Sequence, residues 1–191
     1  IPVSTATTNN RAAASLAADK MAKLIGGKGN VAVVAHDQTS RTGIDRRDGF
    51  IERIQSNYPS INVVTIQYGA GDQLKSTELT KAILTANPDL AGIFGTNEGS
   101  ANGVVNGVRE MNRRGLVVIG YDSGRAQKDA IRNGLMAGAI TQNPVGIGYE
   151  TVKAAVFAVK GKTLPLTIDT GFYYYDATNI DDPEIAAVLY D

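Results

Sequence analysis

The sequence predicts an α/β domain, a parallel sheet flanked by helices. Three observations lead there. Short β-branched runs alternate with longer segments of helical periodicity from Arg11 to Val159. The strand-like runs, such as Leu116-Val117-Val118-Ile119, are apolar throughout, as strands buried on both faces are. The links are short, and alternating β and α segments joined by short links give parallel strands with right-handed crossovers.

The elements follow in order. Ile1 to Asn10 is rich in Thr and Asn and is kept from opening as a helix by Pro2. Asn9 or Asn10 supplies an N-cap for an alanine-rich helix over Arg11–Ile25, ended by Gly26-Gly27-Lys28-Gly29. A strand over Val31–Ala35 leads to a helix over Ile44–Tyr58 that stops at Pro59. A strand over Ile61–Gln67 leads to a helix over Gln73–Ala86, with Leu74, Leu79 and Ile83 at helical spacing. A strand over Ala91–Gly95 precedes a helix over Gly99–Arg113, with Val104, Val105, Val108 and Met111 facing inward. A strand over Val117–Tyr121 and a short helix over Arg125–Asn133 come next. After a strand over Ala137–Thr141, Pro144 falls where a first helical turn tolerates it, opening a helix over Gly146–Val159. The tail breaks this rhythm. Gly161-Lys162-Thr163-Leu164-Pro165 is a turn and Ile168–Asp176 one long β-rich run. Tyr173, Tyr174 and Tyr175 alternate along that run, so one or two of them are packed.

Composition removes several classes of function. Apolar residues make up 43% of the 191, enough for a real core. Formal net charge is zero, with 19 basic residues that are scattered. That argues against nucleic acid or an anionic membrane, which require clustered cations. With no cysteine there is neither a disulfide framework nor a thiolate metal site. No apolar run approaches the roughly 20 residues of a membrane-spanning helix. His36 is the only histidine and makes neither a metal cluster nor a triad, so it reads as structural or as rim. The glycines at 26–29 and 146–148 lack the context of a phosphate-binding loop.

Ligands of parallel sheets bind beyond the carboxyl ends of the strands. The residues just past each predicted strand are His36-Asp37-Gln38-Thr39-Ser40, Tyr68-Gly69-Ala70-Gly71-Asp72, Thr96-Asn97-Glu98, Asp122-Ser123 and Gln142-Asn143. One sheet edge is therefore lined with amides, hydroxyls and carboxylates, a mixture of donors and acceptors that suits a sugar or polyol. Asp, Asn, Ser and Thr at such places are also ordinary helix caps. Gln142 is no preferred cap, and Asn97-Glu98 doubles the polar groups. Arg46 and Arg47, placed in the first turn of their helix, oppose its dipole there, so they read either as surface cations or as donors aimed at a ligand.

Several of these segments together resemble the periplasmic sugar-binding proteins of ABC importers, in the ribose-binding branch of the type I fold. They are Asn9–Ile25, Arg46-Arg47-Asp48-Gly49-Phe50, Gly95-Thr96-Asn97-Glu98, Gly120-Tyr121-Asp122, Ala139-Ile140-Thr141-Gln142-Asn143-Pro144 and Gly161-Lys162. The resemblance implies that Arg46, Asn97, Asp122 and Gln142 contact the ligand: Arg46 as a donor and Asp122 as the acceptor from two hydroxyls. Asp37, Thr39 and Asp72 are further candidates at the same edge. It implies no catalysis, no cofactor and no metal. The implied partners are a small sugar or polyol and an ABC permease. The implied location is the periplasm, or the outer surface with a lipid anchor.

Where ribose-type members often carry an aromatic just before the helix-opening aspartate, this chain has Gly71 before Asp72, which points away from ribose itself. Family members have two lobes. Residues 1–143 correspond to the second lobe, entered through a hinge strand. Residues 144–167 correspond to a return helix belonging to the first lobe, and residues 168–191 to the last hinge strand and tail. The hinge crossings are then Ile1–Thr8, Gln142–Pro144 and Ile168–Asp176, and the first lobe is a missing partner. The helix over Gly146–Val159 should expose an apolar face. Two other readings compete. One is the effector domain of a lactose-repressor-type regulator, which shares the fold. The other is an α/β enzyme holding Mg²⁺ on Asp37, Asp72 and Asp122, which requires those carboxylates to converge.

Overall fold

Consecutive strand residues point to opposite faces, so each apolar run divides its side chains between two layers. In β2 (Gly29–Ala35), Ala32 and Val34 join one core while Val31, Val33 and Ala35 join the other. The same alternation places Ile93 and Phe94 of β4 (Leu90–Gly95), and Val118 and Ile119 of β5 (Val117–Tyr121), in opposite cores. The computed structural model describes residues 2–190, so Ile1 of the expected extended opening and Asp191 lie outside the described residues.

Six strands form the main sheet in the order β3-β2-β4-β5-β6-β8, with β3 at Ile61–Tyr68, β6 at Gly138–Gln142 and β8 at Phe172–Tyr175. The first five are parallel. On one face lie α1 (Asn10–Leu24) and α2 (Arg41–Asn57), and on the other α3 (Gln73–Ala86), α4 (Glu98–Glu110) and α5 (Arg125–Arg132). Alanines 13, 14, 17, 18 and 22 are all buried, which lets α1 pack closely on both the sheet and its neighbour α2. Phe50 of α2 stacks on Phe94 at 4.7 Å between ring centroids. Burying each such ring contributes about 1.5–3 kcal/mol. The strand order reverses between β2 and β4, the place where open α/β sheets leave a crevice at their carboxyl edge.

Several expectations change. The segment Ile168–Asp176 is not one strand: β7 (Thr167–Asp169) and β8 lie in different sheets, broken at Gly171, whose φ of 78° is left-handed. Asp169 stabilises the break by accepting from the Gly171 N–H at 3.0 Å. β8 runs antiparallel to β6, so the sheet is not parallel to its edge. Leu74 (75% exposed) and Met111 (43%) do not face inward. The packed face of α3 is instead Ser76, Thr77, Thr80, Ile83 and Leu84, because α4 approaches closely through Gly103 and Gly107, which meet the small side chains of Ser76 and Thr80. Helix α2 begins at Arg41, so Arg46 lies beyond its first turn and the expected dipole penalty does not arise. Of the three tyrosines, Tyr174 and Tyr175 are buried.

A second, two-stranded sheet pairs β7 with β1 (Thr5–Thr7), and α6 (Pro144–Val159) packs along β1. Pro144 opens α6 and Asn143 caps it. Only Ala154 of this helix is buried, while Val145, Tyr149, Val152, Val156 and Val159 are exposed along one stripe at helical spacing. Helix α7 (Pro183–Ala186) closes the chain.

Candidate functional site

The strand ends bring Asp122, Arg46 and Gln142 into one cluster. Asp122 follows β5 and takes a φ of 77°, a left-handed conformation that Asp tolerates better than most residues. It is held on both sides: its N–H donates to the Ile140 carbonyl at 2.7 Å, and its carbonyl accepts from the Tyr175 hydroxyl at 2.8 Å. The carboxylate is consequently fixed at the mouth of the crevice, 13% exposed. Its Oδ1 accepts from Gln142 Nε2 at 2.8 Å and its Oδ2 from the Glu98 N–H at 3.1 Å.

Arg46 approaches the same carboxylate from α2, with Nη1 3.8 Å from Oδ2. Its side chain is only 6% exposed, and burial of that charge requires compensation. Nε donates to Asn10 Oδ1 at 2.8 Å and Nη1 to the Thr96 carbonyl at 2.9 Å. The guanidinium carbon lies 3.7 Å from the centroid of the Tyr121 ring, a cation–π contact. Tyr121 is fully buried and its hydroxyl donates to the same Asn10 oxygen at 2.9 Å. Burial raises the Tyr121 phenol well above its ordinary pKa, so the ring stays neutral beneath the cation. Among the described residues nothing accepts from Arg46 Nη2, which is left with two N–H donors.

Asn97 caps α4 through Oδ1, which accepts from the Ser100 N–H at 2.9 Å, and its amide NH₂ is uncommitted. That NH₂ lies beside Gly71, where an added Cβ would come within 3.3 Å of it. Gly71 has a φ of 70° and its carbonyl lies against Gly99, so the loop before α3 closes on the loop before α4. An aromatic at position 71 would be strained in that backbone and would crowd Asn97.

Asp37, Thr39 and Asp72 stand differently. Asp37 folds its own loop, accepting from the Thr39 and Ser40 N–H groups and the Thr39 hydroxyl. Those bonds hold its carboxyl down at about 2. Asp72 caps α3 by accepting from the Lys75 N–H at 2.7 Å. Both carboxylates are thus engaged in local structure, and Asp37, Asp72 and Asp122 do not converge: no three metal-ligating side chains gather among the described residues. His36 bridges Thr96 and Thr42 through its two ring nitrogens at 2.8 and 3.3 Å, and burial followed by the Arg46 charge lowers its pKa.

Asn10, Tyr121, Tyr175 and the Glu98 amide were not legible as parts of the cluster. A signal for Asn10 did exist. Two adjacent asparagines cannot both cap one helix, and Asn9 is the cap, accepting from the Ala12 N–H. The second is then free for another task.

The cluster offers donors from Arg46 Nη2 and Asn97, and acceptors from Asp122 and Gln142 Oε1. That pattern matches neighbouring hydroxyls, each of which donates once and accepts. A family model described as a periplasmic binding protein domain matches residues 2–163. The D-allose-binding periplasmic protein of Escherichia coli K12 is 29% identical over 163 residues, covering 84% of this chain and 52% of that protein. The ribose import binding protein of the same strain is 26% identical over 160 residues, covering 84% and 53%. An ABC transporter solute-binding protein from Agrobacterium vitis, bound with α-D-tagatopyranose, superposes with a TM-score of 0.95 at 33% identity, covering 100% of this chain and 64% of that one. The chain thus spans about half the length of the curated relatives it matches.

Proposed function

The chain belongs to the periplasmic binding protein domain family, and on that premise we propose that it supplies one ligand-contacting lobe of a sugar-binding protein. The whole protein captures a small sugar or polyol between two lobes by hinge closure and delivers it to an ABC permease. It acts in the periplasm or, lipid-anchored, at the outer surface, and it performs no catalysis. The observation that carries this reading is the Arg46–Asp122 pair at the carboxyl edge of the sheet, 3.8 Å apart and almost excluded from water. The pair is neutral overall, which favours an uncharged ligand over a sugar acid or sugar phosphate. Arg46, Asn97, Asp122 and Gln142 are the contacts, with Asp37, Thr39 and Asp72 at the rim.

In this reading residues 1–143 form the lobe, residues 144–167 pack on a complementary lobe, and residues 168–191 return through the hinge. The separate β1–β7 sheet and the exposed apolar stripe of α6 support that division. The complementary lobe is a polypeptide outside these 191 residues. The relatives named above are import or solute-binding proteins, which favours the importer over the regulator.

Calorimetric titration with D-allose, D-ribose and D-tagatose tests the reading. Each lobe supplies part of the hydrogen bonds, so this chain alone should bind weakly or undetectably, and a protein carrying both lobes tightly. Micromolar affinity for the isolated chain would overturn the two-lobe mechanism. Failure of the two-lobe protein to bind any neutral sugar would overturn the ligand class.

A further inference from the structure

The Arg46 guanidinium is held at Nη1 by the Thr96 carbonyl and on its face by the Tyr121 ring, and its remaining constraint is whatever meets the Nε edge. That partner is Asn10, a side chain 6% exposed at the start of α1. Its Oδ1 accepts from both Arg46 Nε (2.8 Å) and the Tyr121 hydroxyl (2.9 Å). Its Nδ2 donates to the Thr8 carbonyl at 3.0 Å. These three hydrogen bonds act together: a single amide clamps the cation to the ring on which it lies, and is itself anchored to backbone. The anchor is one residue beyond β1, in the segment through which the chain passes from the two-stranded sheet into the main one.

We infer that Asn10 is a positioning residue for ligand recognition: its carboxamide sets the direction of the Arg46 Nη2 donors and ties that direction to the β1–α1 segment. Asn10 acts through Arg46: its side chain is buried, and its oxygen already accepts twice. With its Nε edge bound to Asn10 and Nη1 to the Thr96 carbonyl, the planar guanidinium has one remaining edge, and that edge is fixed. A shift of the Thr8 carbonyl displaces the amide and, through it, the guanidinium. The course of the connecting segment and the aim of the donor are therefore coupled. This rests on the proposed role of Arg46 as a ligand contact.

The test uses the 191-residue chain, ¹⁵N-labelled, observing the Arg46 Nε–Hε resonance and its exchange with water. Asn10→Ala is expected to accelerate Hε exchange at least tenfold and to move the Tyr121 ring signals. Asn10→Asp retains the accepting oxygen but sets a second oxygen against the Thr8 carbonyl. It is expected to keep Hε protection near that of the unaltered chain while shifting the Thr8 and Asn9 amide resonances. Tyr121→Phe removes one bond to Asn10 without creating a cavity and should accelerate exchange only modestly. Unchanged Hε exchange in Asn10→Ala, with backbone signals elsewhere intact, would overturn the positioning role. Unmoved Thr8 and Asn9 signals in Asn10→Asp would overturn the coupling to the segment.

Titration of the two-lobe protein carrying the same substitutions with D-allose, D-ribose and D-tagatose separates the positioning role of Asn10 from the ligand role of Arg46. Sugar-induced shifts should weaken about tenfold in apparent affinity for Asn10→Ala, the loss expected when one charged donor is misaligned. Identical sugar-induced shifts in Arg46→Lys and the unaltered two-lobe protein would remove Arg46 from the ligand site. The ligand-free exchange data would then still decide whether Asn10 holds it.

Discussion

Asp122→Asn separates the charge of the cluster from its hydrogen bonds. The substitution is isosteric, and Asn tolerates the left-handed φ of 77° as well as Asp does. The new oxygen can keep the Glu98 N–H, and the new NH₂ can face Gln142 once that amide turns its oxygen inward. What disappears is the negative charge 3.8 Å from Arg46. At an effective dielectric constant near 20 that pair interacts with a gross energy of about 4 kcal/mol. Removing the carboxylate also removes its desolvation cost, which offsets much of this and leaves about 1–2 kcal/mol of destabilisation. For a chain of this size that lowers Tm by about 2–8 °C. Binding should suffer more. Two hydroxyls lose a charged acceptor, and the turned Gln142 oxygen is no longer available to the ligand. Hydrogen bonds to charged groups contribute about 1.5–3 kcal/mol against about 0.5–1.5 for neutral ones, so the dissociation constant should rise about 30- to 150-fold. Thermal unfolding of the chain and sugar titration of the two-lobe protein measure the two effects. Affinity within threefold of the unaltered protein would refute Asp122 as the hydroxyl acceptor. A Tm loss above about 15 °C would mean that the pair holds the fold together and is not reserved for a ligand.

His36 should titrate below its ordinary 6.5, since burial and Arg46 disfavour its cation. The unfolded chain then binds more protons in that window, so stability is complete above pH 6.5 and declines as pH falls toward the folded pKa. As the sole histidine, it gives an unambiguous proton NMR titration, and an apparent pKa above 6.5 would contradict the geometry. Asp37, depressed to about 2 by the amides and hydroxyl of its loop, should stabilise the start of α2 fully above pH 3.8. That contribution should vanish as pH falls toward 2, and carboxylate ¹³C shifts that titrate near 4 would refute the loop bonds. Val152 is 66% exposed at the centre of the α6 stripe. Val152→Glu should reduce self-association of the isolated chain in sedimentation experiments without lowering its Tm, whereas unchanged association would show that the stripe is inert.

The element types were legible because local pattern and tertiary demand agree. Val117–Tyr121 is apolar throughout since two helical layers cover it, and Pro59, Pro144 and the 26–29 glycines mark boundaries by their own backbone limits. Where the pattern misled, a neighbour decided. Leu74 has the right spacing for burial, yet the close approach of α4 selects the Ser76–Thr80 side of α3. The β-rich run after Pro165 reads as one strand, because nothing local distinguishes residues that pair with β1 from those that pair with β6.

The candidate site divides in the same way. The sequence by itself determined which polar groups follow the strands, since the chain reverses there and the carboxyl ends of parallel strands share one edge. It thereby placed Asp122, Asn97 and Gln142 together and, through resemblance, added Arg46. Only the tertiary structure decided that Asp122 and Gln142 are in direct contact, that Arg46 lies on Tyr121, and that Asp37 and Asp72 are engaged in capping. It also made Asn10 part of the cluster, 36 residues from Arg46 and 111 from Tyr121 in the chain. The physical reason is that a buried charge must be satisfied by whichever groups the fold brings within about 3 Å. Sequence spacing carries no record of that distance between elements separated by a crossover.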